Sequence, residues 1–208
     1  MRSRIAIFAA LGGALVLQAC ASMGEDECKL ADWRGIGIED GSRGATTASF
    51  TKRRQACAKH GVQADMQAYL QGRSQGLRQY CRPQNGYSQG ASGRRYNGVC
   101  PPELERGFIE AHAQGWGLYE RKRTVHRLKK KLHSAEHRAK QIEHLLAEKT
   151  AALVMTRGNV QQRASLAIEL KQLTQEKIEV ERDLPVIERD HAAAVDEYDR
   201  YRASLGRN

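Results

Sequence analysis

Five cysteines are the residues of this 208-residue chain with the most definite chemistry. One of them, Cys20, ends an apolar run, whereas the other four lie in a polar stretch rich in glycine. These four are Cys28, Cys57, Cys81 and Cys100. An even number of cysteines in a small exported domain is typical of a disulfide framework, so they predict two disulfide bonds. Three pairings are possible, and we favour 28–57 and 81–100 because antiparallel packing of the predicted helices would bring these cysteines together.

The N-terminus predicts export and a lipid anchor. Two arginines precede an uninterrupted run of apolar and small residues from 5 to 17, the arrangement of a secretory signal peptide. The run is too short to span a bilayer, which needs about 20 apolar residues. It ends in Leu17-Gln18-Ala19-Cys20, which resembles the bacterial lipobox, where the cysteine is acylated and becomes the first residue of the mature chain. The alternative is an ordinary signal peptide in which Cys20 has no special role.

We therefore expect residues 1–19 to be a signal peptide, Cys20 to be lipidated and residues 20–27 to be a membrane tether. Ala21, and not an aspartate, follows the cysteine. By analogy with other lipoproteins, the expected location is the bacterial outer membrane, facing the periplasm. Removal of the signal peptide lowers the formal net charge from +10 to +8, because two arginines are lost. A chain this basic favours anionic partners.

Glycine content divides the remaining chain into two parts. Fifteen glycines lie from Gly24 to Gly117, and only two follow. We expect a mostly α-helical protein with a small, disulfide-stapled, Gly/Cys-rich helical domain at residues 28–117. A long antiparallel coiled-coil hairpin is expected at residues 118–205.

Aromatic and small residues recur at helical spacing within the Gly/Cys-rich domain. Tyr69, Gly72 and Gly76 form one such series. Steps of three and four place these residues on one helical face, which predicts close approach of two helices. For other glycines, such as Gly41 and Gly44, the alternative is an ordinary turn.

Three motifs of this domain are spaced in a specific way. They are Cys28-x3-Asp32-Trp33-x3-Gly37-x2-Asp40-Gly41, Tyr69-x2-Gly72-x3-Gly76-Leu77-x2-Tyr80-Cys81 and Tyr96-x-Gly98-Val99-Cys100-Pro101. Together they resemble a Gly/Cys-patterned family of bacterial lipoproteins known as domain of unknown function 2799. The resemblance covers roughly residues 20–117. It implies an exported, lipid-anchored domain in Gram-negative bacteria, and it supplies no catalytic residues.

From Leu118 onward the apolar residues fall into heptads, which is typical of a coiled coil. Arg157-Gly158-Asn159 is the turn signal of this region, so the hairpin is expected to turn near residues 157–159. An antiparallel register that matches the core positions would place Arg138 opposite Glu179, and Glu143 opposite Lys171. Pro185 is expected to kink the returning helix.

The densest positive cluster of the sequence lies on the first helix of the hairpin. Its members are Arg121, Lys122, Arg123, Arg127, Lys129, Lys130 and Lys131. We interpret the cluster as a binding surface for an anionic envelope component or an acidic protein; the alternative is an ordinary solvated helix face. Nucleic acid is not expected as a partner, because no aromatic residues interleave the cluster.

A second expected contact surface is the segment that the 81–100 disulfide would close. Residues 82–99 contain glycine, serine and asparagine, so we expect a loop. The side chains that would make contacts there are Tyr87, Arg94, Arg95 and Tyr96.

Four histidines follow one exposed stripe of the same predicted helix. They are His126, His133, His137 and His144. His133 and His137, four residues apart, match the spacing of two helical metal ligands, but no third ligand is evident. The stripe alternatively gains charge in mild acid, which would make the surface responsive to pH. Plain surface histidines are a third interpretation.

No spacing of residues in the sequence indicates catalysis. A Ser-His-Asp arrangement, a phosphate-binding glycine loop and a nucleophile elbow are all absent from the sequence. We therefore expect a non-enzymatic envelope protein without a cofactor, which is held at the membrane by lipid and binds a partner through the hairpin or the 82–99 segment. A metal- or pH-responsive binding module is the alternative.

Overall fold

A computed structural model describes residues 23–206 of the chain. The expected signal peptide and the lipidation site Cys20 lie outside these residues. The described part contains seven helices and no strand, as the sequence predicts. They are α1 (Glu25–Lys29), α2 (Trp33–Ser42), α3 (Ala48–Ala58), α4 (Met66–Tyr80), α5 (Pro83–Ala91), α6 (Pro102–Met155) and α7 (Val160–Leu205). The chain falls into two compact units, divided between Gln79 and Tyr80, and we describe each by itself.

In the first unit, helices α2 and α4 touch backbone to backbone. A Cβ atom added to Gly41 would lie 2.9 Å from the Leu77 nitrogen, and one added to Gly76 would lie 2.6 Å from the Ser42 nitrogen. The predicted close approach of helices is therefore found at both glycines. Gly44, in contrast, has a φ of +67° and ends α2, so there the turn interpretation holds.

The core of the first unit is aromatic and contains one disulfide. Trp33, Phe50 and Tyr69 pack together beside the bond between Cys28 and Cys57. Asp40 is also buried: it forms an ion pair with Arg53 and accepts a hydrogen bond from the Tyr69 hydroxyl at 3.0 Å. Burial and this carboxylate raise the pKa of Tyr69 to about 12. A buried charge needs such partners, so the cluster explains why an aspartate is stable in this core.

In the second unit, the segment expected as a loop is largely helical. Helix α5 occupies residues 83–91 although glycine, serine and asparagine disfavour helix. A Cβ atom on Gly90 would lie 2.7 Å from the Trp116 nitrogen of α6. Close contact with α6 therefore stabilises a helix that local propensity does not predict, and the loop prediction was wrong for these residues. The bond between Cys81 and Cys100 joins the two ends of this segment. Both disulfides have the pairing that the sequence analysis favours.

Helix α6 runs without a break from Pro102 to Met155. The expected boundary between residues 117 and 118 therefore falls inside a helix, and the division into compact units lies earlier, at residue 79. Glycine becomes scarce after Gly117, but no helix ends there, because α6 contains Gly107, Gly115 and Gly117 as well as the residues that follow. At 54 residues, α6 is about 80 Å long at 1.5 Å per residue.

Helices α6 and α7 form the predicted antiparallel hairpin, joined by residues 156–159. The heptad residues face the partner helix, and Ile142, Leu166 and Ile187 are buried there.

The ion pairs between α6 and α7 differ from the predicted ones. Arg138 binds Glu176 through two hydrogen bonds of 2.6 Å instead of facing Glu179. Glu143 lies 3.6 Å from the Lys177 nitrogen instead of pairing with Lys171. Long side chains reach diagonally across the seam, so core register alone does not fix these pairs. Helix α7 continues through Pro185, and the kink expected there stays a prediction.

Candidate anionic-partner interface

Residues 121–135 of α6, which we call the basic segment, contain seven basic residues and no acid. The segment is helical because lysine, arginine, leucine and alanine favour helix and neither glycine nor proline interrupts it. Val125, Leu128 and Leu132 are half-buried. Their spacing of three and four residues fixes which side of the helix turns toward α7. The charged side chains between them must therefore project elsewhere.

Five cations of the basic segment are exposed and free of acidic neighbours. Among the residues that the structure describes, no carboxylate oxygen lies within 4.0 Å of their side-chain nitrogens. These five are Lys122, Arg127, Lys129, Lys130 and Lys131. The absence of nearby acids leaves their positive potential unneutralised by the protein itself.

Two further members of the predicted cluster are engaged within the chain. Arg121 turns toward α7, where its Nε atom lies 3.1 Å from a Glu197 oxygen and its guanidinium carbon lies 4.0 Å from the centre of the Tyr201 ring. It also donates a hydrogen bond to the Gly117 carbonyl. Arg121 therefore belongs to the helix–helix contact and not to the outward surface. Arg123 lies 4.0 Å from Glu120 on the same helix, at the limit of an ion pair.

Four of the five histidines of α6 are exposed beside these cations. His126, His133, His137 and His144 follow one another at intervals of seven, four and seven residues, which keeps them on one side of the helix. No histidine ion pair with an acid is found in the described chain at these positions. The pH-responsive interpretation therefore concerns four exposed imidazoles on one side of α6.

The structure places no third metal ligand beside His133 and His137 among the described residues. Within residues 23–206, no group of three or more His, Cys, Asp or Glu side chains is arranged to hold a metal ion. A structural zinc site requires four ligands, and even a catalytic one requires three from the protein. The two histidines alone offer at most a weak, open site.

The contact residues expected in the 82–99 segment have different roles. Tyr96 is half-buried: its hydroxyl donates to Glu105 and accepts from the Cys100 nitrogen, both at 2.8 Å, and burial raises its pKa. The Tyr87 carbonyl lies against Gly115, where the backbones of α5 and α6 meet. The Tyr96 side chain therefore stabilises the fold, whereas at Tyr87 it is the backbone that makes the helix contact and the side chain is half-buried. Arg94 and Arg95 remain exposed, although the Arg94 carbonyl is bound to the His112 ring at 2.7 Å.

One contact that sequence reasoning missed brings this segment close to the basic segment. Gly93, with a φ of +71°, lies against the ring of Tyr119, two residues before Arg121. Arg94 and Arg95 follow immediately, so two more exposed cations stand near the N-terminal end of the basic segment. No pattern in the sequence predicts this contact, because the contact depends on the left-handed backbone conformation of Gly93.

Two acidic residues of the first unit, Asp40 and Asp65, are in structural positions. Asp40 is buried in its ion pair, and the Asp65 side chain accepts a hydrogen bond of 2.9 Å from the Ala68 nitrogen at the start of α4. That bond is the capping interaction that the position of Asp65 favours.

Comparison with protein-family models gives a match over part of the chain. Residues 32–117 match the model of a family described as "Protein of unknown function (DUF2799)". Searches of the curated proteins and of the solved structures gave no match. In the described part of the chain, no helix is both long enough and apolar enough to cross a membrane.

Proposed function

Because this chain contains a DUF2799 domain, whose description assigns no activity, we propose a function from its own residues. The protein is a non-enzymatic lipoprotein of the bacterial envelope that binds an anionic partner through the basic segment of α6. The sequence at Leu17–Cys20 supports the lipid anchor, and the two disulfides support an oxidising compartment such as the periplasm. The proposed location is the outer membrane, with the chain facing the periplasm.

One observation carries the binding proposal: five exposed cations lie within ten residues of one helix, and none has a carboxylate partner in the described chain. The segment from Lys122 to Lys131 extends about 14 Å along α6 at 1.5 Å per residue. Each exposed ion pair contributes only about 0.2–1 kcal/mol, so useful affinity requires several of them at once. A partner with many closely spaced negative charges meets that requirement.

Lipopolysaccharide phosphates, peptidoglycan carboxylates and acidic proteins are the partners of this kind in the envelope. The basic segment itself exposes no large apolar residue, so recognition is driven by charge and must weaken in salt. At physiological ionic strength charges are screened beyond about 8 Å, and only direct contact is therefore effective.

The experiment compares two triple variants with the same change in charge. Lys122→Glu/Lys129→Glu/Lys130→Glu alters the basic segment, and Lys52→Glu/Lys59→Glu/Lys171→Glu alters exposed lysines elsewhere. Binding of the mature protein to lipopolysaccharide micelles and to purified peptidoglycan is measured by sedimentation. We expect the first variant to lose at least tenfold in affinity for one of these, and the second to lose much less. Melting by circular dichroism checks that both variants fold. Equal losses would show that only net charge matters, and the binding site would then be rejected.

The lipid anchor is tested in bacterial cells that produce the protein. Cys20→Ala is expected to abolish labelling by a palmitate analogue and to release the protein from the membrane fraction. Unchanged labelling of this variant would contradict acylation at Cys20.

The exposed histidines favour one second candidate, a pH-responsive form of the same surface. Protonated imidazoles would add positive charge beside the lysines, so binding should strengthen from pH 7.5 to pH 5.5. Replacement of the four histidines by glutamine should remove that gain, and a zinc titration of the parent protein separates metal binding from it. If the gain persists in the glutamine variant, the histidines are not its cause.

A further inference from the structure

The end of the hairpin exposes large apolar side chains. We call residues 150–163 the hairpin tip; α6 ends there at Met155 and α7 begins at Val160. Val154 is 70% exposed, and Met155 and Val160 are each 81% exposed. Coiled-coil residues turn their apolar side chains toward the partner helix, whereas these three point away from it into solvent. The heptad pattern therefore gives no reason for apolar residues at these positions.

Several polar backbone groups at the tip are bonded within the chain. The Arg163 guanidinium donates to the carbonyls of Leu153 and Thr156, at 3.4 and 3.1 Å. The Ala152 carbonyl accepts from both the Thr156 nitrogen and the Thr156 hydroxyl. The Asn159 side chain caps α7 by accepting from the Gln162 nitrogen at 3.0 Å. Helix ends normally leave such groups for water, so this tip loses fewer hydrogen bonds when it leaves water.

The hairpin tip contains basic residues and no acidic ones. No acidic residue occurs from Lys149 to Ile168, while Arg157 is exposed at the turn. Lys149 is paired with Glu169 at 2.7 Å, and Arg163 is used for the backbone bonds. An apolar surface that carries positive and no negative charge suits the interface of an anionic bilayer, where apolar side chains enter the acyl boundary and arginine contacts phosphate.

We propose that the hairpin tip inserts into the surface of a bilayer that contains anionic lipids. Val154, Met155 and Val160 enter the boundary between headgroups and acyl chains, and Arg157 remains at headgroup level. This contact is separate from the basic segment, because Lys131 lies 23 residues before Val154, about 35 Å along α6. It is also separate from acylation at Cys20, which lies 134 residues before Val154 in the sequence.

The test uses the mature chain with Cys20→Ser, which carries no acyl group, and vesicles of phosphatidylethanolamine and phosphatidylglycerol in a 3:1 ratio. Flotation is measured at 0.1 M and 0.5 M NaCl, because high salt suppresses binding by the basic segment. Val154→Ser/Met155→Ser/Val160→Ser removes the apolar tip. The matched control is Leu30→Ser/Ile178→Ser/Val186→Ser, since these residues are also exposed and apolar.

We expect the parent chain to float at both salt concentrations and the tip variant to lose roughly a hundredfold in partitioning, because several large apolar side chains no longer leave water. The control should float like the parent, and so should the Lys122→Glu/Lys129→Glu/Lys130→Glu variant at 0.5 M NaCl. That last result separates this proposal from the proposed function, since each can fail alone.

Three results would overturn the proposal. One is a parent chain that does not float at 0.5 M NaCl. Another is an equal loss in the control, which would assign binding to general surface hydrophobicity. The third is a tip-dependent dimer in sedimentation without vesicles, which would show that a second copy covers the tip instead.

Discussion

At the scale of single residues, the fold depends on glycines that let two helix backbones come into contact. Gly115 of α6 lies against the backbone of α5, with the Ala91 nitrogen 2.7 Å from the position of an added Cβ atom. Gly107 lies on the same helix, but its nearest neighbour would be a Pro83 side-chain carbon at an ordinary 3.5 Å. Both glycines lie inside α6, and they differ in how closely a neighbour approaches. Comparing the same substitution at the two positions therefore separates the effect of packing from the effect of helix propensity.

Substitution of these glycines by alanine is expected to have opposite effects. Gly115→Ala should lower the free energy of unfolding by roughly 1–3 kcal/mol, because backbone atoms must move apart to accept the methyl group. Gly107→Ala should raise it by up to about 1 kcal/mol, since alanine favours helix and meets no obstacle. Urea unfolding followed by circular dichroism measures both. Equal stabilisation of the two variants would show that α5 and α6 are not in backbone contact.

At the scale of elements, sequence reasoning succeeded where one pattern dominates and failed where contacts compete with propensity. Heptads predicted the hairpin, and Arg157-Gly158-Asn159 predicted its turn. The aromatic and glycine spacing around Tyr69 predicted a close approach of two helices, which the structure shows to be α4 and α2. Helix α5 was missed because its stability comes from α6 and not from its own residues. Arg121 was assigned to the outward surface, since nothing in the sequence reveals its position over the Tyr201 ring.

Helix α7 contains one element-scale weakness that can be measured. Pro185 is exposed inside the helix and has no N–H group to donate to the carbonyl four residues earlier. Pro185→Ala should therefore stabilise the hairpin, by as much as about 3 kcal/mol, the difference between these residues in a helix interior. Val186→Ala, at the next exposed position, is the control and should change the melting temperature little. A lower melting temperature for Pro185→Ala would mean that the packing of α7 requires the local geometry of proline.

At the scale of the whole molecule, the cysteine count connects the compartment to the fold. The sequence could predict two disulfides and favour a pairing, because helical segments between the cysteines suggested which ones lie side by side. It could not predict how the compact units divide the chain, since the division falls near the end of α4 and the change in composition after Gly117 falls inside α6. Each unit contains one bridge, closing 29 residues in the first and 19 in the second.

These bridges should decide whether the chain is stable outside an oxidising compartment. Loop-closure entropy assigns about 3–4 kcal/mol to each, and a typical folded domain has only about 5–15 kcal/mol in total. We therefore expect Cys28→Ala/Cys57→Ala and Cys81→Ala/Cys100→Ala, each in a Cys20→Ser background, to lower the free energy of unfolding by roughly that amount. A reducing agent should destabilise the parent chain and leave a variant without any of the four cysteines unchanged. Urea unfolding with and without the reductant measures this difference. If reduction left the free energy of unfolding of the parent chain unchanged, its stability would not depend on the bridges.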